Sequence, residues 1–462
     1  MEKRKTFGGS LGFVLAAAGS AVGLGNIWRF PYLAARDGGG LFLVIYIILA
    51  LTFGFTLVTA EIAIGRKTKQ SPLTAYGKLN KNWTWLGWIS SIVPFIILPY
   101  YCVIGGWVLK YLIAFLTGHG IDAAKEGYFT EFITSKGEPL IMMFIFLFAV
   151  TVVIYLGVNK GIESFSKVIM PVLLVLVVGI AIFSLTITKT DDAGVTRTGL
   201  QGLKYYVIPN LDGITVKKFF NVVMDAMGQL FYSLSVAMGI LIAYGSYVKD
   251  DANLPKSINQ IEIFDTLVAF LAGVMIIPAV YVFSGTDGMA SGPSLMFVAL
   301  PKIFASMGKA GTIVGIIFFA MVLFAAITSA MSVLEAIVSG MIDSDKRFSR
   351  GKAVIIEFIV SLALACLVCF GYNDLYFELK LPNGAVGQIL DVMDYVSNSI
   401  LMPIGAIATC ILVGWVIKPK TIIDEVEKSG DKMGRKRLFT VMIKYIAPVC
   451  LFILLLMSLG IF

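Results

Sequence analysis

Long apolar segments separated by short polar connections recur along the whole chain. Eleven of them reach about 20 residues, the length at which an α-helix crosses the hydrocarbon core of a bilayer. Several exceed about 25 residues, which favours tilted or kinked helices. They occupy residues 10–35, 39–66, 87–116, 138–157, 161–187, 217–247, 258–284, 310–342, 353–372, 384–417 and 438–462. The pattern predicts an all-α membrane protein with eleven transmembrane helices in a single domain spanning 1–462.

The composition agrees with this pattern and excludes a soluble fold. Of the 462 residues, 58% are hydrophobic and 14% are charged, whereas a soluble protein is about half apolar and about a quarter charged. The net charge of +8 comes from 37 Lys and Arg against 29 Asp and Glu. No basic stripe with interleaved aromatic residues occurs, so we predict a lipid bilayer rather than nucleic acid as the partner.

Lysine and arginine concentrate in connections that alternate along the chain. They precede the first segment and follow the second, eighth and tenth, whereas the other connections are leaner and more acidic. By the positive-inside rule, the N-terminus is predicted to be cytoplasmic and the C-terminus, after an odd number of spans, to lie outside.

Cysteine and histidine give no sign of metal or redox chemistry. All five cysteines lie in apolar segments, and the C-x-x-C formed by Cys366 and Cys369 has no histidine near it. The single histidine, His119, excludes the histidine-pair motif of metalloproteases. We predict structural roles for the cysteines.

Two segments contain glycines and polar residues where an uninterrupted helix is expected. Residues 19–26 read GSAVGLGN in the first segment, and residues 232–239 read YSLSVAMG in the sixth. Small residues could form a helix-packing face. Their positions, five segments apart, favour two discontinuous helices in an inverted repeat. The first repeat would cover about 10–187 and the second about 217–417, with an extra helix at 438–462.

Broken helices carry the backbone groups that an ion and a carboxylate need. Half-helix N-termini present free N–H groups to an anion, and unwound carbonyls suit a hard cation. Thr328 and Ser329 in the eighth segment could add oxygen ligands, or could simply bond the preceding helical turn. Buried carboxylates are functional candidates unless they are interfacial or paired; they are Glu61, Asp265, Glu335 and Asp394.

Four motifs in this order resemble those of the neurotransmitter:sodium symporter family. They are SLGFVLAAAGSAVGLGNIWRFPYLAARDGGG at 10–40, GQLFYSLSVAMG at 228–239, AAITSAMSVLE at 325–335 and ILDVMDY at 389–395. The resemblance covers essentially the whole chain. It implies a LeuT-type fold of five-plus-five inverted repeats and sodium-coupled uptake. With eleven predicted spans, the chain is similar to a bacterial branch of the family whose members carry amino acids. This similarity implies that the protein lies in the bacterial inner membrane and that a monomer is sufficient for transport.

The resemblance implies two sodium sites. The first would use the Ala21 carbonyl with Asn26, Ser233 and Asp265, although a shift of one position would place Phe264 there instead. A fixed carboxylate at Asp265 would replace the bound anion of chloride-dependent relatives, so we predict chloride independence. The second site would join the first and eighth spans through Gly19, Val22, Ala325, Thr328 and Ser329.

The resemblance also implies a substrate pocket. Its members would be Ser20, Ala21, Leu24, Gly25, Ile97, Tyr101, Tyr232, Ser233, Ser235, Met238, Ser329 and Val333. Carriers of monoamines place an aspartate at the position of Ser20, so a zwitterion is favoured here. The side-chain end of the pocket has no charge, which predicts a neutral hydrophobic or aromatic L-amino acid. Another small amino acid or an amine is the alternative.

Gating residues follow from the same resemblance. Arg29 with Asp394 would form an outer gate beneath which Tyr101 and Tyr232 close. Arg4 with Asp343 would form an inner gate, assisted by Tyr247. Glu61 would bond the unwound part of the sixth span, and residues 161–171 fit a motif whose unwinding opens a water path to the second sodium.

Two other classes of function fit the residues less well. An intramembrane enzyme needs a nucleophile with a general base, and neither Ser20 nor Ser329 has a histidine or lysine at its depth. A cation channel needs a filter, usually built by oligomer symmetry. The prediction is therefore a transporter that uses sodium ions and no organic cofactor, and not an enzyme.

Overall fold

The protein is a bundle of membrane-length helices, seen in a computed structural model that describes residues 6–191, 194–211, 213–285, 294–345 and 347–461. Within these residues, nine continuous helices and one bent pair are long and apolar enough to cross a membrane. A second interrupted pair completes the predicted eleven spans. Spans 1 to 11 are Ser10–Ala21 with Gly25–Arg36, Gly40–Thr68, Lys81–Leu116, Glu138–Tyr155, Val158–Thr186, Val216–Ser233 with Ile240–Ser246, Leu254–Ser284, Lys309–Ser344, Arg350–Phe370, Ile389–Val416 and Lys436–Ser458.

Short helices and two small hairpins connect the spans. The helices are Pro72–Leu79, Asp122–Ala124, Tyr128–Thr134, Gly199–Val207, Leu295–Ser306 and Pro419–Val426. Strand Thr188–Thr190 pairs antiparallel with Thr196–Thr198, and Leu379–Lys380 pairs antiparallel with Val386–Gly387. Within the described residues, the connecting helices pack on the spans, and Tyr76, Tyr206 and Phe297 from them belong to the same buried hydrophobic core.

Spans 1 and 6 are discontinuous, as predicted. The two halves of span 1 meet at an angle of 55° between Ala21 and Gly25. Span 6 stops at Ser233 and resumes at Ile240. Between these points the backbone takes positive φ angles of 54° at Ser235 and 61° at Ala237, which L-residues adopt rarely. The small residues therefore mark two breaks rather than an uninterrupted packing face.

The second half of span 6 packs directly on the backbone of span 2. A Cβ atom at Gly65 would lie 2.0 Å from the Ile242 carbonyl oxygen, and one at Gly245 would lie 2.3 Å from the Ile62 carbonyl oxygen. Only glycine allows this approach at both positions, which is how membrane helices gain close packing. This contact fixes half of the broken span 6 against a continuous neighbour.

The basic connections meet on one face of the bundle. Asp250, after span 6, pairs with Lys69 at 2.8 Å and with Lys428 at 3.0 Å, and these ammonium groups lower the pKa of its carboxyl to about 2. Arg66 at the end of span 2 pairs with Glu425 after span 10 at 2.9 Å. The predicted shared side of the lysine-rich connections is therefore seen in the fold, while the side of the membrane it faces stays a prediction.

Candidate functional site

The broken parts of spans 1 and 6 face each other at the centre of the bundle. The Ser235 hydroxyl donates to the Ser20 carbonyl oxygen at 3.1 Å, and the Gln229 amide nitrogen donates to the Gly25 carbonyl oxygen at 3.1 Å. Two side chains of span 6 thus bond carbonyl oxygens of span 1 on either side of its break. This is the condition under which irregular backbone is stable at membrane depth.

A pocket lies between the two breaks and spans 3 and 8. All twelve predicted substrate residues line it. Its lining is Ser20, Ala21, Gly23, Leu24, Gly25, Asn26, Ile97, Tyr101, Tyr232, Ser233, Ser235, Met238, Ile240, Ser329 and Val333. The three further residues are Asn26, which was predicted for the first sodium site, and Gly23 and Ile240, which were not predicted. Among the described residues, no charged side chain lines this pocket.

Glu61 supports the unwound part of span 6. Its Oε1 accepts a hydrogen bond from the Ala237 backbone N–H at 2.7 Å, and the side chain is 1% exposed. The bond that the resemblance implies is therefore present. It falls on one of the two residues with unfavourable positive φ, so it offsets part of the cost of that conformation.

A cluster of oxygens around Asp265 occupies the predicted first sodium site. The Asp265 Oδ1 accepts from the Asn26 amide nitrogen at 2.9 Å and from the Ser233 hydroxyl at 2.7 Å. Ser233 also lies 3.1 Å from the Asn26 Oδ1. These are hard oxygen donors with one fixed negative charge, a set that suits a sodium ion. Ala21 lines the adjoining pocket.

Asp265 itself, rather than Phe264, faces this cluster. Asp265 is completely buried. The Tyr46 hydroxyl in span 2 donates to its second oxygen at 3.4 Å. Tyr46 was not identified from the sequence, because a tyrosine within an apolar run has no feature that distinguishes it from its neighbours.

The residues of the predicted second sodium site also lie together. The Ser329 hydroxyl lies 3.4 Å from the Gly19 carbonyl oxygen and 3.5 Å from that of Val22. The Thr328 hydroxyl donates to the Phe324 and Ala325 carbonyl oxygens of its own helix, both at 3.0 Å, which is the local bond that a helical threonine commonly makes. The five candidate ligands are three carbonyl oxygens and two hydroxyl oxygens. All are neutral, so the cluster could bind a monovalent cation weakly. It joins span 8 to the break in span 1.

Span 5 covers the second cluster from outside. A Cβ atom at Gly19 would lie 3.0 Å from the Met170 sulfur and 3.3 Å from the Thr328 Cβ. Met170 directly precedes Pro171, which lies inside span 5, and the span begins with the irregular turn Val158–Glu163. The segment predicted to unwind therefore lies against the second cluster.

The Tyr101 hydroxyl is the unpartnered polar group of the pocket. It is buried and makes no hydrogen bond of ordinary geometry among the described residues, with the Ser329 hydroxyl and the Leu24 backbone as polar neighbours. A Cβ atom at Gly23 would lie 3.4 Å from it and 2.8 Å from the Ser329 hydroxyl, so glycine lets both hydroxyls approach the unwound backbone. Buried polar groups are normally hydrogen-bonded. An unpaired hydroxyl at this position is suited to a ligand.

The predicted outer pair of Arg29 and Asp394 is not formed in this structure. The Asp394 Oδ1 instead accepts from the Tyr100 hydroxyl at 3.1 Å and from the Asn398 amide at 2.6 Å. The Arg29 guanidinium lies 5.9 Å from the centre of the Tyr232 ring. Asn398 is one helical turn after Asp394 and therefore meets it without any movement of span 1. Neither Tyr100 nor Asn398 was predicted as a partner of Asp394. For Asn398, its i+4 spacing from Asp394 was the available signal.

The predicted inner residues lie on the lysine-rich face. The Asp343 carboxylate accepts from the Ser71 backbone N–H at 2.5 Å, while Arg4 lies outside the described residues. The Tyr247 hydroxyl donates to the Glu335 carboxylate at 2.6 Å. Glu335 also forms a bidentate pair with Arg350. Arg350 was missed because it is one of many basic residues in its connection.

Comparison with known proteins agrees with this architecture. The Sodium:neurotransmitter symporter family model matches residues 4–122 and 123–462. The crystal structure of MhsT in complex with L-phenylalanine is similar with a TM-score of 0.84 and 34% sequence identity, over 99% of this chain and 100% of that one. The fold is thus that of a LeuT-type transporter.

Relatives in other organisms give the same result. An uncharacterized sodium-dependent transporter, YhdH of Bacillus subtilis, is 31% identical over 100% of this chain and 99% of its own length. A sodium- and chloride-dependent GABA transporter 2 of Rattus norvegicus is 26% identical over 94% of this chain and 76% of its own length. The chain therefore belongs to the sodium:neurotransmitter symporter family and is a multi-pass, sodium-coupled membrane transporter of a small molecule.

Proposed function

We propose that this transporter imports a neutral hydrophobic or aromatic L-amino acid together with sodium, and that it does so without chloride. The observation that carries the proposal is the division of the central pocket. One end combines unwound backbone with the free Tyr101 hydroxyl, next to the oxygen cluster around Asp265. The other end is apolar. A molecule that fits both ends carries a carboxylate and an amine at one end and an uncharged side chain at the other.

The polar end suits an amino-acid backbone. The Tyr101 hydroxyl and the N–H groups of the broken span 1 at Leu24 and Gly25 would bind the carboxylate, since the half-helix there presents its positive end. The amine would meet backbone carbonyls of the two breaks. No acidic side chain lines the pocket to balance an amine without a carboxylate. This absence among the lining residues favours a zwitterion over an amine.

The apolar end selects the side chain of the substrate. Ile97, Met238 and Val333 are all at most 5% exposed, and burying a charged substrate against them would leave that charge unpaired. Methionine adapts to differently shaped apolar partners. MhsT, the structural relative above, was crystallised with L-phenylalanine, which supports the same class of substrate here.

Coupling would follow from shared residues. Asn26 and Ser233 contribute both to the pocket lining and to the Asp265 cluster, so a sodium ion there and the substrate carboxylate would each raise the affinity for the other. A second ion between Gly19 and Thr328 would hold span 1 against span 8. Release of both ions would loosen that contact and favour opening. One chain contains all of these groups, so a monomer would suffice.

The orientation we propose places the lysine-rich face in the cytoplasm. The N-terminus would then be inside and the C-terminus outside, in the inner membrane of a bacterium. Asp343 and Tyr247 would close the cytoplasmic side. Asp394, held by Tyr100 and Asn398, would close the outer side when Arg29 moves from the Tyr232 ring towards it.

Uptake into proteoliposomes tests the proposal. Purified protein is reconstituted, and accumulation of labelled leucine, phenylalanine or tryptophan is measured with an inward sodium gradient and with potassium in its place. We expect the labelled amino acid to accumulate with the sodium gradient but not with potassium. The rate of uptake should stay the same when gluconate replaces chloride, and lysine and glutamate should not compete. Stronger competition by lysine or glutamate than by phenylalanine would contradict the substrate class, and loss of uptake in gluconate would contradict chloride independence.

Replacing Tyr101 by Phe tests the polar end separately. Loss of a hydrogen bond to a charged group costs about 1.5 to 3 kcal/mol, so we expect substrate affinity to fall about 10- to 100-fold, with the preference among side chains unchanged. Tyr111→Phe is the matched control, because its hydroxyl bonds the Phe297 carbonyl oxygen away from the pocket. Equal affinities in the Tyr101 variant and the unsubstituted protein would show that the hydroxyl does not bind the carboxylate.

A further inference from the structure

A second, basic pocket lies on the lysine-rich face, where span 10 ends and span 11 begins. It has a volume of about 490 Å³, and its lining includes Trp415, Lys418, Lys420, Ile423 and Lys444. It is separate from the central pocket, with which it shares no lining residue. None of the predicted transport residues takes part in it.

The walls of this pocket are held in place by contacts between the two spans. A Cβ atom at Gly414 would lie 3.2 Å from the Ile443 carbonyl oxygen and the Lys444 Cα, so glycine permits the close approach. The Trp415 indole nitrogen donates to the Lys444 carbonyl oxygen at 3.2 Å. Both helices widen to π-helical turns at this level, at Leu412–Val416 and Met442–Ile446.

The positive charge of the pocket is not neutralised by the protein. Among the described residues, no carboxylate lines it. The acids close in sequence are engaged elsewhere: Glu425 pairs with Arg66, and Glu427 pairs with Lys436. Asp424 is exposed one turn after Lys420 and is outnumbered by the three lysines. The pocket therefore favours an anion.

The backbone at Lys418 adds a further observation. Its φ of 69° with ψ of 143° lies in a region that side chains other than glycine rarely occupy and that costs about 1–3 kcal/mol. This conformation turns the chain directly from the end of span 10 into the helix Pro419–Val426. Lys418 and Lys420 thereby line the same pocket as Lys444 from span 11.

The surroundings of the pocket indicate that its anion belongs to a lipid. Trp415 is 57% exposed and Tyr445 is 53% exposed, and their rings meet edge to face at 5.6 Å. Exposed aromatic residues at the end of a span mark the headgroup level of a bilayer. Below them span 11 exposes Ile446 and Val449. A soluble anion would use the lysines alone, whereas a lipid would use both the lysines and this apolar wall.

We propose that this pocket binds the headgroup of an anionic phospholipid. The phosphate would lie among the ammonium groups of Lys418, Lys420 and Lys444, and the acyl chains would follow the exposed apolar face of span 11. Basic pockets between transmembrane helices near the membrane surface recognise anionic headgroups in this way. Because the pocket joins spans 10 and 11, a bound lipid would hold these two spans together.

Native mass spectrometry of the full chain in detergent tests this proposal. The probes are phosphatidylglycerol, phosphatidylcholine with the same acyl chains, and inorganic phosphate. Three proteins are compared: the unsubstituted chain, the variant Lys418→Gln/Lys420→Gln/Lys444→Gln, and a control with the same loss of charge, Lys81→Gln/Lys256→Gln/Lys352→Gln. The control lysines are exposed and lie outside the pocket.

We expect the unsubstituted chain and the control to retain phosphatidylglycerol over phosphatidylcholine by about tenfold or more, and the pocket variant to retain both equally. Millimolar phosphate should not displace the lipid. Equal losses in the control and the pocket variant, or displacement by phosphate, would overturn the proposal. If the pocket variant does not fold, Lys444→Gln is measured against Lys444→Arg, which keeps the charge; only the first should lose the preference.

Discussion

Replacing Asp265 by Asn is expected to make transport require chloride. The substitution keeps the size of the side chain but removes the fixed negative charge beside Asn26 and Ser233. Removing one partner of a buried charge pair costs about 3 kcal/mol or more, so sodium affinity in gluconate should fall about 100-fold. A bound chloride could supply the missing charge, so adding chloride should restore part of this loss.

Sodium titration of amino-acid uptake, in chloride and in gluconate, measures this effect. Asp225→Asn is the control, because Asp225 is a partly exposed partner of Arg36 away from the cluster. We expect the control to show the same sodium dependence in both salts. Unchanged sodium affinity in the Asp265 variant would show that this carboxylate is not a ligand of the transported ion, even though the surrounding oxygens converge on it.

The second large effect is expected on stability, from Arg66→Met. Arg66 is completely buried and binds the Glu425 side chain, the Glu425 carbonyl oxygen and the Ala252 carbonyl oxygen. Its loss would leave the Glu425 carboxylate, which is 5% exposed, without its main partner. Breaking a buried ion pair from one side costs about 3–5 kcal/mol, and we expect the lower end because Lys67 lies 4.0 Å from the same carboxylate.

Unfolding in mixed micelles measures the free energy of unfolding of three variants. The double variant Arg66→Met/Glu425→Leu should recover most of the stability, because it removes both charges together. Arg347→Met is the matched control: Arg347 is 90% exposed and pairs with Asp345 at the surface, so its loss should cost at most about 1 kcal/mol. A double variant as unstable as Arg66→Met would show that packing, and not the unpaired charge, is responsible.

The central site could be predicted from the sequence because its signal is compositional. Glycine, serine and asparagine interrupt apolar segments in only a few places, and membrane depth makes such interruptions costly unless they have partners. The interruptions in spans 1 and 6, with Thr328 and Ser329, therefore led to residues that do lie together. The resemblance added their predicted roles, and Asp265, which it named despite the loose match there, is the residue that meets Asn26 and Ser233.

Partners supplied from distant spans could not be predicted in this way. Tyr46, Tyr100 and Arg350 each bind a predicted carboxylate, yet each is an ordinary residue in its own segment. The pair of Arg29 and Asp394 failed for the related reason that Asp394 has nearer donors. Lys418 and Lys420 were interpreted only as a mark of orientation, and Lys444, inside the eleventh segment, was not singled out, since nothing along the chain shows that the three lysines meet across two spans.

The close packing of Gly65 on Ile242 and of Gly245 on Ile62 constrains how spans 2 and 6 can move. Where backbone meets backbone there is no side chain to change rotamer, so the second half of span 6 and its neighbour span 2 have to travel as one body. Any bending of span 6 is then confined to residues 234–239, and Glu61, itself on span 2, bonds within that short stretch. In the proposed transport cycle, opening of the lysine-rich side would therefore move these two helical segments together and bend span 6 at residues 234–239, of which Ser235 and Met238 line the substrate pocket.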